Sequence, residues 1–163
     1  MLTILVVDDE KLERKGIRFL LNRRSEEMEI LEAANGKAAC EILQRRTVDI
    51  MPTDIKMPFM DGIELVSVAH KLQPDLDMVI FSGYGEFEYA KKAMASGVSN
   101  YVLKPVDPVE FENTLNHLVE KLTERRNEAQ RRQWNQDSLE NYFLFRYLCQ
   151  GNDDLLNTIS GKI

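Results

Sequence analysis

Three short polar stretches of this chain carry residue types suited to phosphate chemistry. Asp8-Asp9-Glu10 follows the apolar run Leu2 to Val7, Asp54 stands at the end of another before Ile55-Lys56-Met57-Pro58-Phe59-Met60-Asp61-Gly62, and Lys104-Pro105 closes Tyr101-Val102-Leu103. An acid pair, one aspartate and one lysine are weak signals apart. Their shared placement, at or just past the end of an apolar run, is what joins them.

If Asp8, Asp9 and Asp54 meet in one crevice, unit charges about 4 Å apart repel by roughly 4 kcal/mol near a protein surface. Something positive must hold them. A hard divalent cation with oxygen ligands fits, and Mg²⁺, which takes one or two carboxylates and keeps waters, fits better than Ca²⁺. No His or Cys cluster offers a softer metal a site. With the cation in place Asp54 is a nucleophilic carboxylate able to form an aspartyl-phosphate. Lys104 adds a compact positive charge that can pair with Asp54 before transfer and with the phosphoryl group after it. Ser82 offers a hydroxyl that can turn toward the phosphoryl oxygens.

Five candidate strands position these residues: Leu2 to Val7, Met28 to Ala33, Val48 to Thr53, Asp77 to Ser82 and Ser99 to Leu103. Helix signals fill the gaps at Lys11 to Arg24, Gly36 to Arg46 behind Asn35 as cap, Gly62 to Leu72, Glu86 to Ser96 closed by Gly97, and from Pro108 behind Asp107. Alternating strands and helices predict an α/β fold, a doubly wound five-stranded parallel sheet with helices on both faces, whose ligand site lies at the carboxyl ends of the strands. Phe111, Leu115, Leu118 and Leu122 recur at three or four residues, an apolar stripe for the last helix to lay on the sheet.

Taken together, these residues resemble the receiver domain of response regulators in two-component signalling, a flavodoxin-like fold, over about residues 1 to 120. The resemblance implies that Asp54 is the phosphoacceptor, Asp9 a direct Mg²⁺ ligand, Asp8 an acid holding the metal through water, and the Lys56 main-chain carbonyl the third protein ligand. It implies further that Ser82 is the switch hydroxyl, Tyr101 the aromatic switch residue and Lys104 the phosphate-binding lysine. The phosphoryl donor would be the phosphohistidine of a histidine kinase, and the chain a regulator rather than an enzyme. Lys56 and Tyr84, two residues after Asp54 and Ser82, are expected to flank the phosphoryl group and tune dephosphorylation.

Each position also has a plainer reading. Asp9 could cap the helix that follows, Ser82 could be an ordinary strand-end hydroxyl and Tyr101 a core aromatic. Asp61 reads as a helix cap with Glu64 completing a capping box, and His70 and His117 have no partner ligands. Pro52 departs from the family pattern: in a central strand it removes a ladder hydrogen bond, so it either loosens the strand or is absorbed by a bulge. Two other functions remain in view. A haloacid-dehalogenase-type phosphatase would carry a second Asp where this chain has Lys56, and a pseudo-receiver would bind partners without being phosphorylated.

The bounds agree with a single core plus an extension: 163 residues, 44% hydrophobic, net charge −6. No run approaches the roughly 18 consecutive apolar residues of a membrane span, and Met1-Leu2-Thr3 leads into a strand with no basic region, so a cytosolic chain is expected. Cys40 and Cys149 are isolated and suggest no disulfide or metal framework. We place the receiver at residues 1–122 and, at 123–163, a helical linker or the start of a truncated output region. In the linker Glu124 and Glu128 interleave with Arg125, Arg126, Arg131 and Arg132, which reads as a solvated helix running on toward Trp134 rather than a nucleic-acid patch. The apolar stretch Leu139 to Leu148 wants a partner, and it resembles the linker of AraC-type response regulators. That resemblance implies a DNA-binding output domain, expected to be absent from this chain, and a homodimer is expected from a switching face of the receiver that changes self-association.

Overall fold

The computed structural model describes residues 1–83, 88, 91, 92, 95, 97, 98 and 100–150. Strands β1 (Leu2–Val7), β2 (Met28–Ala33), β3 (Ile50–Asp54), β4 (Asp77–Ser82) and β5 (Asn100–Leu103) form one parallel sheet in the order β2-β1-β3-β4-β5. Helices α1 (Lys11–Asn22), α2 (Gly36–Arg45), α3 (Gly62–Leu72) and α4 (Pro108–Gln150) accompany it. The α/β sheet expected from the alternation of runs is the one observed. Of the helix expected over 86–96, Glu88, Lys91, Lys92 and Ala95 are described and are helical; the rest of it, Ser99 at the start of the last strand, Tyr84 and the Cys149 side chain lie outside the described residues.

The strands read as unbroken apolar runs because both faces of the sheet are covered. Along β1, Leu5 and Val7 join a core with α2 and α3, while Ile4 and Val6 join another with α1 and α4. β4 divides the same way, Met78 and Ile80 to the first core, Val79 and Phe81 to the second. Phe111, Leu115 and Leu118 of the predicted stripe fill the second core, with the Phe111 ring 5.7 Å from that of Phe81.

Local chemistry sets the boundaries. Asn35, Asp61 and Asp107 cap α2, α3 and α4 by accepting main-chain N–H groups of the first turn, as expected. α1 starts behind Glu10, whose side chain makes no capping bond, so a capping role for Asp9 is not realised. Its last turn tightens, Arg23 and Arg24 donating three residues back, and ends at Asn22 rather than Arg24. β3 begins at Ile50 rather than Val48: the Val48 N–H is held by the Gln73 side chain, and bonding to the sheet starts at Asp49, whose N–H donates to the Thr3 carbonyl over 2.8 Å. Glycine and proline are absent from residues 109–150, and α4 continues through Trp134 to Gln150. Pro52 lies inside β3 without a bulge: Ile4↔Ile50 and Val7↔Thr53 keep one register on either side of it, and Pro52 itself pairs with Val79 of β4.

The chain divides into two compact units, Met1–Val119 and Glu120–Ile163. The first contains the sheet. The described part of the second is the continuation of α4, on which Trp134, Leu139, Tyr142, Phe145 and Leu148 are exposed. No helix among the described residues is long and apolar enough to cross a membrane.

Candidate functional site

After β1 the chain turns to one side to form β2 and then crosses to the other side for β3, so the direction of winding reverses between β1 and β3. Their carboxyl ends leave a crevice there, the place where open α/β sheets bind ligands. Asp8 and Asp9 stand just past β1, and Asp54 is the last residue of β3. One carboxylate oxygen from each lies within 4.8 Å of the others. Asp8 is fully buried, Asp54 is 8% exposed and Asp9 faces solvent.

Lys104 reaches this cluster from the end of β5. Its N–H donates to the Ser82 carbonyl over 2.7 Å, which extends the β4–β5 ladder past Leu103. The ammonium then spans two acids, with Nζ 3.0 Å from Asp8 Oδ2 and 3.2 Å from Asp54 Oδ1. The Lys104–Pro105 peptide is cis. Asp8 is held from every side: its Oδ1 accepts the Glu10 N–H over 2.9 Å, and its carbonyl accepts the Arg14 guanidinium over 2.8 Å.

Burial pushes the Asp54 carboxyl up to about 6, with the Asp8 charge adding to the effect and Lys104 opposing both. Burial lowers Lys104, but its bonds to Asp8 and Asp54 outweigh that and raise it above the ordinary lysine range. Three carboxylates facing one ammonium leave the crevice short of positive charge. The donors converging there are all oxygens, so these residues fit a hard divalent cation and no softer metal.

Around this cluster stand the other sequence-predicted residues. Asp54 pairs with Phe81, which puts Ser82 at the next level of the neighbouring strand. Ser82 is buried, and its Oγ is hydrogen-bonded to the Tyr101 hydroxyl. Tyr101 is half-buried and packs on the core shared with α2 and α3. Lys56 is exposed just past β3, while Tyr84 lies outside the described residues. Reading the sequence missed Arg14, because six residues after Asp8 it has the spacing of any arginine on a helix. It also gave Gly62 no role beyond opening α3.

A model of the response regulator receiver domain matches residues 4–116. Over 123 residues the chain is 36% identical to the "Uncharacterized transcriptional regulatory protein YesN" of Bacillus subtilis, a match covering 75% of this chain and 33% of that protein. It is 32% identical over 130 residues to the transcriptional regulatory protein HptR of Staphylococcus aureus, covering 78% of this chain and 50% of HptR. Among solved structures, a two component transcriptional regulator AraC from Clostridium phytofermentans is similar at a TM-score of 0.69 and 36% identity, with 77% of this chain and 98% of that one covered. The chain spans a third to a half of the length of these curated relatives.

Proposed function

Since the chain belongs to the response-regulator receiver family, whose members are signalling switches of two-component phosphorelays, we propose that it is switched by phosphorylation of Asp54 from a histidine kinase. The observation that carries this reading is the meeting of Asp8, Asp9 and Asp54 within 4.8 Å, with Lys104 bonded to two of them, at the carboxyl ends of the strands.

In this reading an Asp54 carboxylate oxygen attacks the phosphorus of the kinase's phosphohistidine. The new O–P bond forms as the P–N bond breaks, and the electron pair returns to the ring nitrogen, which takes up a proton from water. Asp9, Asp54 and the Lys56 carbonyl, with Asp8 through water, would hold Mg²⁺, which when bound offsets charge on the transferred oxygens. Lys104 sits on the Asp54 carboxylate beforehand and follows the phosphoryl group afterwards. The Ser82 hydroxyl turns to a phosphoryl oxygen, and Tyr101, bonded to it, carries the change toward the surface. Hydrolysis returns the carboxylate: water attacks phosphorus, the O–P bond breaks and inorganic phosphate leaves. Lys56, exposed just past β3, and Tyr84, two residues after Ser82 in the sequence, are assigned the tuning of its rate.

The output is transcriptional in this proposal, because the relatives are named as transcriptional regulators and are two to three times as long as the matched part. In this reading residues 1–122 are the receiver and 123–163 the linker region, helical as far as Gln150, through which a cytoplasmic homodimer drives DNA binding by a further domain. The test is molar mass by light scattering with and without Mg²⁺ and beryllium fluoride, an analogue of the phosphoryl group, beside phosphorylation by acetyl phosphate. Asp54→Ala serves as control. Mg²⁺-dependent phosphorylation and a shift from one chain to two, both lost in the control, are expected. A chain that takes no phosphate at Asp54 would leave the pseudo-receiver reading in its place.

A further inference from the structure

Gly62 opens α3, and its main chain lies directly against the end of β3. Its N–H donates to the Ile55 carbonyl over 2.7 Å. A Cβ placed on it would stand 2.1 Å from the Asp54 carbonyl oxygen, 2.9 Å from Ile55 Cα and 3.0 Å from the Asp54 carbonyl carbon. All three are backbone atoms, so no side chain can swing aside to make room. The φ of Gly62 lies outside the left-handed region, so closeness, not conformational freedom, is what demands glycine here.

Segment 55–61 therefore leaves β3 and returns to within one hydrogen bond of where it left. Ile55 is fixed from two sides, its N–H on the Phe81 carbonyl of β4 over 3.2 Å and its carbonyl on Gly62. The helix start that presses on it is itself pinned, because the Asp61 carboxylate accepts the N–H groups of Ile63 and Glu64. On either side of Ile55 stand Asp54 and Lys56, the residues whose carboxylate and carbonyl are assigned to the metal in the proposed function.

We propose that Gly62 is a positioning residue for the acceptor site: its missing side chain lets α3 seat on the Asp54–Ile55 main chain and fixes the Asp54 carboxylate and Lys56 carbonyl relative to Asp8 and Asp9. This rests on the reading of Asp54 as a Mg²⁺-dependent acceptor. A methyl group at residue 62 forces strand end and helix start apart by roughly an ångström, a displacement that can cost about a hundredfold in a reaction governed by positioning.

The experiment measures Mg²⁺ affinity by calorimetry, with the metal alone, and the rate of phosphorylation by acetyl phosphate. The proteins are the full chain, Gly62→Ala and Leu43→Ala, the last being a buried core substitution on α2 that lowers stability away from the site. Gly62→Ala is expected to lose about tenfold or more in both quantities while Leu43→Ala keeps them near wild type. A folded Gly62→Ala with wild-type affinity and rate overturns the inference, as does an equal loss in Leu43→Ala. If Gly62→Ala does not fold, Asp61→Ala loosens the same helix start without adding atoms, and an unchanged Mg²⁺ affinity in it overturns the inference too. A wild type inert toward Mg²⁺ and acetyl phosphate removes the acceptor reading and this inference with it, whereas an active wild type matched by Gly62→Ala removes the inference alone.

Discussion

Asp54 is hard to ionise even though the Lys104 ammonium lies 3.2 Å from its Oδ1. An ion pair at that distance ordinarily pulls a carboxyl down. Here the loss of water around Asp54 is the larger effect, and Asp8, sharing the same lysine, adds a second negative charge. The crevice is built for more positive charge than the protein supplies, and it carries that deficit as a cost to stability.

The cost has a pH signature. The Asp54 carboxyl sits at about 6 in the fold against 3.8 for the ordinary group, so the folded chain binds this proton more tightly than the unfolded chain. The sign is thus opposite to that of a salt-bridged acid: the penalty is full above about pH 6 and disappears as pH falls toward 4. In metal-free buffer Asp54→Asn should be more stable than wild type at pH 7.5 by about 2 kcal/mol. The gain should shrink steadily on acidification. Urea unfolding at several pH values checks this, and equal stabilities at pH 7.5 would show that Lys104 already compensates the charge.

Lys104→Met argues the same point from the other side. It leaves Asp8 and Asp54 facing each other in a buried crevice without their shared cation, a change that typically costs about 3 kcal/mol. Because protonation of Asp54 relieves the repulsion, the loss should be larger at pH 7.5 than at pH 5. Millimolar Mg²⁺ should recover part of it by supplying the missing charge. Denaturant midpoints with EDTA and with Mg²⁺ are the measurement, and a loss independent of both pH and metal would point to lost packing of the lysine stem instead.

The layout of this site was legible because carboxylates at the ends of apolar runs have few other reasons to be there, and the sheet was legible because strands buried on both faces must be apolar throughout. The sharing of one lysine between Asp8 and Asp54 was not legible. It depends on the height at which β5 ends beside β4, and the Lys104 N–H bond to the Ser82 carbonyl sets that height. Pro52 illustrates the converse, since its residue type argued for a disturbed strand while neighbours on both sides hold the register. Arg14 and Gly62 were missed for a common reason. What they do follows from contacts with main-chain atoms of Asp8, Asp54 and Ile55, and main-chain atoms have no sequence signature.

Gln73 offers a control for stability without chemistry. At the opposite end of β3 from Asp54 its side chain accepts the Val48 N–H over 2.9 Å and donates to the Leu43 and Arg46 carbonyls over 2.8 and 2.7 Å. Gln73→Ala removes all three bonds, and because water can reach part of the site the cost should be about 2 kcal/mol rather than the full sum. Mg²⁺ affinity and phosphorylation rate should not change. A weakened metal site in this variant would mean that the two ends of β3 are coupled through the strand.

The bond between Ser82 and Tyr101 makes the last prediction. Two hydroxyls share it, and since each can donate one proton and accept two, Tyr101 can donate to Ser82 Oγ and leave the Ser82 proton free for a phosphoryl oxygen. In that arrangement the tyrosine does not compete with the phosphoryl group; it polarises the serine that binds it. Ser82→Ala should therefore cost a charge-assisted hydrogen bond, roughly tenfold in the affinity for beryllium fluoride. Tyr101→Phe should cost less, about threefold or below, because Ser82 keeps its donor. If the tyrosine were instead the donor's competitor, holding the Ser82 proton on its own oxygen, Tyr101→Phe would tighten the affinity. Titration of both variants with beryllium fluoride in the presence of Mg²⁺ separates the two arrangements by the sign of a single change.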